Sequence, residues 1–203
     1  HLPNGNLIQI VTYGMALMYT PFFLAAHLTA QMLGMSCNGY TALYGFFIST
    51  GTLVYVLLGF YFLRKALLHF YSEKVTALVI FSLFLCTNLF YFTLGLGEMP
   101  HSYLFAIYGL LIYSTVRWHT AQQNRHLYAA MFCIGLASVI RPSEAVCALF
   151  LVLYGVHDRE SIRRKFRMLR EHFRAVLVSV LVFLIPIVPQ LLYWKIYAGE
   201  WVV

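Results

Sequence analysis

Acidic side chains are scarce in this chain: Asp and Glu number 7 among 203 residues, against 14 Lys and Arg. The one aspartate is Asp158 and no acidic residue precedes Glu73, so carboxylate chemistry has few places to sit. From His1 to Leu63 there is no Asp, Glu, Lys or Arg at all. Charged residues make up only 10% of the chain and hydrophobic ones 61%, more apolar surface than a soluble core of this size buries. That balance excludes a soluble globular domain and implies an integral membrane chain. Cysteine is sparse as well. Cys37, Cys86, Cys133 and Cys147 contain no CxxC pair, and three of them fall inside apolar runs, where Cys acts as a small hydrophobe. Neither a disulfide framework nor a zinc site is indicated. No basic leader with a cleavage pattern opens the chain; it begins at His1 and ends on Trp201-Val202-Val203 without a polar tail, and reads as a piece of a longer protein. Internal repeats and low-complexity segments are also missing.

What is present is an ordered alternation of charge and apolar runs. Twelve of the fourteen basic residues fall into three clusters: Arg64, Lys65 and Lys74; Arg117 and Arg125; and Arg159, Arg163, Arg164, Lys165, Arg167, Arg170 and Arg174. Short loops rich in Lys and Arg stay on the cytoplasmic side, so every second connection is expected on the opposite face. The net charge of +7 is accounted for by this topology and by attraction to anionic lipid. The basic residues are not interleaved with a readable nucleic-acid motif, and no nucleic-acid partner is expected.

The apolar runs imply an all-α, multi-spanning transmembrane bundle of about five to seven apolar helices with surface amphipathic helices, since about 20 residues of helix cross a bilayer. Thr12 to Leu33 either spans or lies in the interface, because Pro21, His27, Thr29 and Gln31 interrupt it. Thr41 to Leu63 and Val75 to Leu94 are expected to span. Pro100 suits the first turn of a helix running from about His101 to Val116. Tyr128 to Tyr154 is either one kinked helix or a hairpin of two short ones meeting at Arg141-Pro142. The hairpin is preferred because it keeps both flanking basic clusters on one side. Asp158 to Arg174, with Ile162, Phe166, Leu169 and Phe173 at helical spacing, matches an amphipathic helix on the cytoplasmic surface. Ala175 to Trp194 spans despite Pro186 and Pro189. The organisation is thus one transmembrane domain over residues 1–203: an extracytoplasmic loop with an interfacial helix in 1–40, helical spans with a short hairpin at 141–142 in 41–157, a basic cytoplasmic segment in 158–174, and a final span in 175–196.

The charge map places Glu98, His101, Arg141, Glu144, Lys195 and Glu200 on the non-cytoplasmic face. An ionisable group near the membrane boundary is costly unless it is paired or lines a wet cavity, so an extracytoplasmic polar pocket is the default site. Each residue also has a plainer role. Glu98 could cap the helix that begins near Pro100. His101, three residues on, could share its helical face in a Glu-x-x-His metal spacing or be an ordinary interface histidine. Arg141 and Glu144 could satisfy each other, or Arg141 could hold a phosphate. Lys195 could snorkel to the outer headgroups, and Asn88 suits an interhelical hydrogen bond.

Several stretches resemble bacterial GT-C glycosyltransferases, of the kind that mannosylate proteins or add aminoarabinose to lipid A. They are Leu2-Pro3-Asn4-Gly5-Asn6, the run from Tyr13-Gly14-Met15-Ala16-Leu17 to Pro21-Phe22-Phe23-Leu24-Ala25-Ala26-His27, the turn Gly95 to Tyr103, and Gly135-Leu136-Ala137-Ser138-Val139-Ile140-Arg141-Pro142. The resemblance implies an enzyme of the bacterial inner membrane that moves a sugar from a polyprenyl-phosphate donor to a lipid, glycan or protein acceptor on the periplasmic face. It implies that Glu98, in Glu98-Met99-Pro100, matches the second acidic residue of the family's site and that Arg141 matches a donor-phosphate contact. His101, Glu144 and Lys195 would line that site, and a divalent metal ion held by Glu98 and His101 is a candidate cofactor. The chain departs from the family's pattern in having no acidic residue before Glu73, so the first-loop base is missing and this stretch is expected to be inactive alone. The alternative is a non-enzymatic transporter or lipid-translocating component, whose signature would be internal pseudo-symmetry and broken helices. A structural subunit, in which the charges only pack, is the third reading.

Overall fold

A computed structural model describes residues 11–202; the opening Leu2-Pro3-Asn4-Gly5-Asn6 of the resemblance lies outside them. Among the described residues the chain is all-helical, with 80% helix and no strand. It divides into two compact units, Met15–Leu110 and a second drawn from His1–Gly14 and Leu111–Val203.

In the first unit, α1 (Gly14–Met32) carries Pro21 within it and packs against α2 (Ala42–Leu67) through the buried Ala26, Ala30 and Tyr44. His27, one of the interruptions in this apolar run, is satisfied by a 2.8 Å contact from its Nδ1 to the Tyr44 hydroxyl. Further along, α2 meets α5 (Pro100–Ala121) at glycines: a Cβ on Gly109 would sit 2.5 Å from the Gly59 carbonyl oxygen. Small residues let helix backbones approach closely where hydrophobic driving force is weak, as in lipid.

The expected continuous run Val75 to Leu94 is instead two helices, α3 (Glu73–Leu85) and α4 (Leu89–Leu94). The cause is Thr87. Its hydroxyl donates to the Leu83 carbonyl at 2.5 Å and accepts from the Leu89 amide at 3.2 Å, so a side chain takes over bonds that the backbone ladder would make. At 13 residues, α3 is about 20 Å long, short of a hydrocarbon core about 30 Å thick.

In the second unit, α6 (Asn124–Ile140) and α9 (Phe173–Ala198) form the main packed pair. Gly135 makes their contact possible, because a Cβ there would strike the Phe183 carbonyl and come within 2.9 Å of Pro186 Cγ. α6 ends at Arg141, whose backbone is extended at φ −144°, ψ 121°. Proline disfavours the helical region for the residue before it, and Pro142 opens a 3-10 turn, Pro142–Cys147, followed by α7 (Ala148–Leu153). Leu127, near the start of α6, and Leu153, at the end of α7, line one cavity, so the chain doubles back at the Arg141-Pro142 break.

The basic segment forms α8 (Arg159–Glu171), begun by a reciprocal cap. The Ser161 amide donates to Asp158 Oδ1 at 2.7 Å while the Asp158 amide donates to Ser161 Oγ at 2.9 Å. It is shorter than the segment Asp158 to Arg174: the helix breaks at His172, and Phe173 and Arg174 begin α9.

Two described helices, α2 and α9, are long and apolar enough to cross a membrane, fewer than the five to seven expected. The shortfall has local causes: the Thr87 break, the polar interruptions of α1, the 17-residue length of α6, and the Ser, Thr, His and Arg residues within α5. In both long helices only 22% of the spanning window is buried, whereas the core helix of a soluble protein buries most of its surface.

Candidate functional site

The candidate residues divide between the two units, Glu98 and His101 in the first and Arg141, Glu144 and Lys195 in the second. In the first unit, Glu98 lies in the turn between α4 and α5, with its residue exposed. Two successive carbonyls of that turn are held by hydroxyls. Thr52 Oγ1 lies 2.6 Å from the Gly97 carbonyl and 2.8 Å from the Tyr103 hydroxyl. A hydroxyl has one proton to give, so Tyr103 donates to Thr52 and Thr52 donates to Gly97. The Tyr19 hydroxyl donates to the Glu98 carbonyl itself, and Tyr19 packs edge-on against Tyr103 with ring centroids 5.4 Å apart. The backbone at Glu98 is thereby fixed on an exposed turn.

Glu98 precedes α5, which starts at Pro100, so Glu98 and His101 do not form a Glu-x-x-His pair on one helical face. The His101 ring instead stacks on Phe92, with centroids 4.0 Å apart and planes 26° apart. Among the described residues, no group of three or more His, Cys, Asp or Glu side chains gathers in a way that could hold a metal ion.

In the second unit, Arg141 is half-buried at the break after α6. Its amide makes the last bond of the helix, to the Ala137 carbonyl at 2.9 Å, and its carbonyl accepts from the Glu144 amide at 2.9 Å. No hydrogen-bond or ion-pair partner engages its guanidinium among the described residues. Beside the break lies a cavity of about 310 Å³, lined by Val139, Pro142, Ala145, Phe183, Leu191 and Trp194 among others. Gln190, buried at its edge, accepts from the Tyr13 amide at 2.9 Å, and the Tyr13 hydroxyl donates to the Pro186 carbonyl at 2.6 Å. The break therefore carries a cation in sequence between two residues, Val139 and Pro142, that line an apolar hollow.

Lys195 is engaged at its own helix end. Its amine donates to the Gly199 carbonyl at 2.8 Å and lies 5.6 Å from the centroid of Trp201. Glu144 is half-buried in the first turn of the 3-10 segment. Asn88 sits at the N-terminal boundary of α4.

Sequence reasoning missed Thr52, Tyr19 and Tyr103, whose partners lie 45 to 79 residues away. The available signal was a hydroxyl in the middle of an apolar run, Thr52 in Thr41 to Leu63. No family model matches the chain, and neither a curated protein nor a solved structure matches it.

Proposed function

We propose that this chain is an integral membrane protein and part of a polyprenyl-phosphate-dependent glycosyltransferase of the GT-C kind. In this reading it belongs to a multi-spanning bundle in a bacterial inner membrane, with its active face periplasmic. The observation that carries the reading is the Arg141-Pro142 break, where Arg141, its guanidinium without a partner among the described residues, lies in the chain between Val139 and Pro142, two residues that line an apolar hollow. A lipid-linked sugar phosphate has those two needs: an apolar bed for its tail and a cation for the phosphate that leaves. Arg141 holds the donor phosphate, and the fork of its guanidinium suits two phosphate oxygens. Glu98 serves as the second acidic site residue, on a turn whose backbone the Thr52 and Tyr19 hydroxyls fix. The general base that deprotonates the acceptor is not among residues 1–72, where no carboxylate stands.

The test is sugar transfer by the intact enzyme, reconstituted with a polyprenyl-phosphate sugar. Loss of a charge-assisted hydrogen bond is worth about 1.5–3 kcal/mol, so Arg141→Ala slows transfer about 10- to 100-fold while the protein still inserts. Arg141→Lys recovers part of the loss because it restores the charge without the fork. Glu98→Gln also removes most transfer. Wild-type rates from both Arg141→Ala and Glu98→Gln would end these assignments.

A second reading, a lipid-translocating component, is favoured by the two interrupted stretches, α3 to α4 and α6 to α7, because broken helices mark transport paths. It predicts lipid movement across vesicles without any sugar transfer.

A further inference from the structure

α8 carries two parallel rows. Ile162, Phe166 and Leu169 recur at spacings of four and three, and each is followed directly by an arginine: Arg163, Arg167 and Arg170. At about 100° per residue, the arginine row runs alongside the apolar row. The three arginines are exposed, and none has a hydrogen-bond or ion-pair partner among the described residues. Phe166 is 69% exposed, although this segment is otherwise the most highly charged of the chain. Its apolar row is thus left uncovered by the protein itself.

That row forms one wall of a cavity of about 410 Å³, within the roughly 300–1,000 Å³ of small-molecule sites, whose other walls include Trp118, Leu127, Leu151 and Val180. The charged group at its edge is Lys165, whose amine donates to the Leu151 and Tyr154 carbonyls at 2.9 Å each. These bonds tie the middle of α8 to the end of α7. Five helices contribute to the walls, so the space is a pocket among helix ends and not a trough along one helix. A partner helix about 10 Å across would fill it with a single turn. A flexible hydrocarbon chain suits an apolar space of this volume, and the adjoining arginine row calls for an anionic head.

We propose that this cavity takes one acyl chain of an anionic phospholipid, with the phosphate held by Arg163, Arg167 and Arg170. The assignment rests on the membrane placement proposed above but not on sugar transfer. It makes the basic segment a specific lipid site as well as a topology signal. Lipid bound there would brace α7, α8 and α9 together on the cytoplasmic face.

Trp118 lines the cavity and is 1% exposed, so it is a native reporter. Within these 203 residues, Trp194→Phe and Trp201→Phe leave it as the one tryptophan. This protein is reconstituted into phosphatidylcholine vesicles containing an equal, low fraction of either brominated phosphatidylglycerol or brominated phosphatidylcholine. Brominated phosphatidylglycerol should quench Trp118 the more strongly. An arginine near an anionic surface favours partition roughly fivefold, so Arg163→Gln with Arg167→Gln and Arg170→Gln should remove a preference on the order of a hundredfold. Val180→Phe, which fills the cavity, should abolish quenching by both lipids with helicity retained by circular dichroism. Equal quenching by the two lipids, or a preference that survives the triple substitution, overturns the proposal. So does the absence of quenching by either, which would leave the pocket to a protein partner. Failure of the protein to float with the vesicles would instead remove the membrane placement beneath it.

Discussion

The hydroxyl chain at the Glu98 turn makes a quantitative prediction about coupling. Thr52 is fully buried and Tyr103 nearly so, and Thr52 stands between the Tyr103 hydroxyl and the Gly97 carbonyl. Interhelical hydrogen bonds measured in lipid average about 0.6 kcal/mol, with about 1.7 kcal/mol as the upper end. Thr52→Val keeps the shape, breaks two such bonds and strands a buried phenol, so it should cost about 1–3 kcal/mol. Tyr103→Phe breaks only one bond and leaves Thr52 donating to Gly97; about 0.5–1.5 kcal/mol is expected. The double variant leaves no stranded phenol, so its cost should fall below the sum of the singles by about 0.6–1.7 kcal/mol. The assay is reversible denaturation in mixed micelles, fitted for all four proteins at one temperature. A second readout is alkylation of Glu98→Cys in a background without the native cysteines: Thr52→Val should change the labelling rate of that turn and Tyr103→Phe should change it less. Costs that add to within about 0.3–0.5 kcal/mol would mean that the two hydroxyls do not share a proton chain, and the account of how the turn is held would fail.

At the α6 and α9 contact, Gly135→Val places a branched side chain against the Phe183 carbonyl and Pro186; overpacking of this kind costs about 1–3 kcal/mol, and the check is a lowered midpoint of thermal unfolding in detergent, with Ser138→Ala on the same helix as a near-neutral control. The hydrogen bonds from the Ser161 amide and side chain hold the Asp158 carboxyl below its ordinary value of 3.8. A depressed carboxyl stabilises the fold above its unfolded pKa and loses that contribution as pH falls through the lower folded value, so amide-exchange protection of the first turn of α8 should be constant above about pH 5 and decline below about pH 4, and Asp158→Asn should flatten the profile. Burial lowers the Lys165 amine from its usual 10.5, so in a pH series of acylation followed by peptide mapping Lys165 should turn nucleophilic at lower pH than a free lysine amine does. If the proposed sidedness is right, Glu98→Cys and Arg141→Cys should both react with an impermeant maleimide applied outside intact cells; a shielded cysteine at either place would break the assignment of the two residues to one compartment.

What the sequence made legible was local in origin. The all-helical class follows from apolar runs too long and too unbroken for strands. The end of α6 at Arg141 follows from the ring of Pro142, which acts on the residue immediately before it. The split between α3 and α4 was not legible, because Cys86-Thr87-Asn88 contains neither proline nor glycine and the backbone partners of the Thr87 hydroxyl on both sides leave no mark in the residue spacing. The Glu-x-x-His spacing could not decide between a shared face and an ordinary interface histidine, because spacing implies a shared face only inside a helix and Glu98 stands in the turn before one.

A search for charged residues finds the groups with chemistry to offer, such as Glu98 and Arg141, and overlooks the groups that position them. In this chain those are uncharged. Thr52 and Tyr103 are buried within helices, where an unpaired ion would be expensive and a hydroxyl satisfies a backbone carbonyl at far lower cost. Tyr19 does the same for Glu98 from α1, and Tyr13 with Gln190 does so around Pro186. A chain with seven acidic residues therefore builds its fixed polar geometry from threonine, tyrosine and glutamine. The isolated hydroxyls in its apolar runs mark where the backbone is held, and the turn carrying Glu98 is held at two of them.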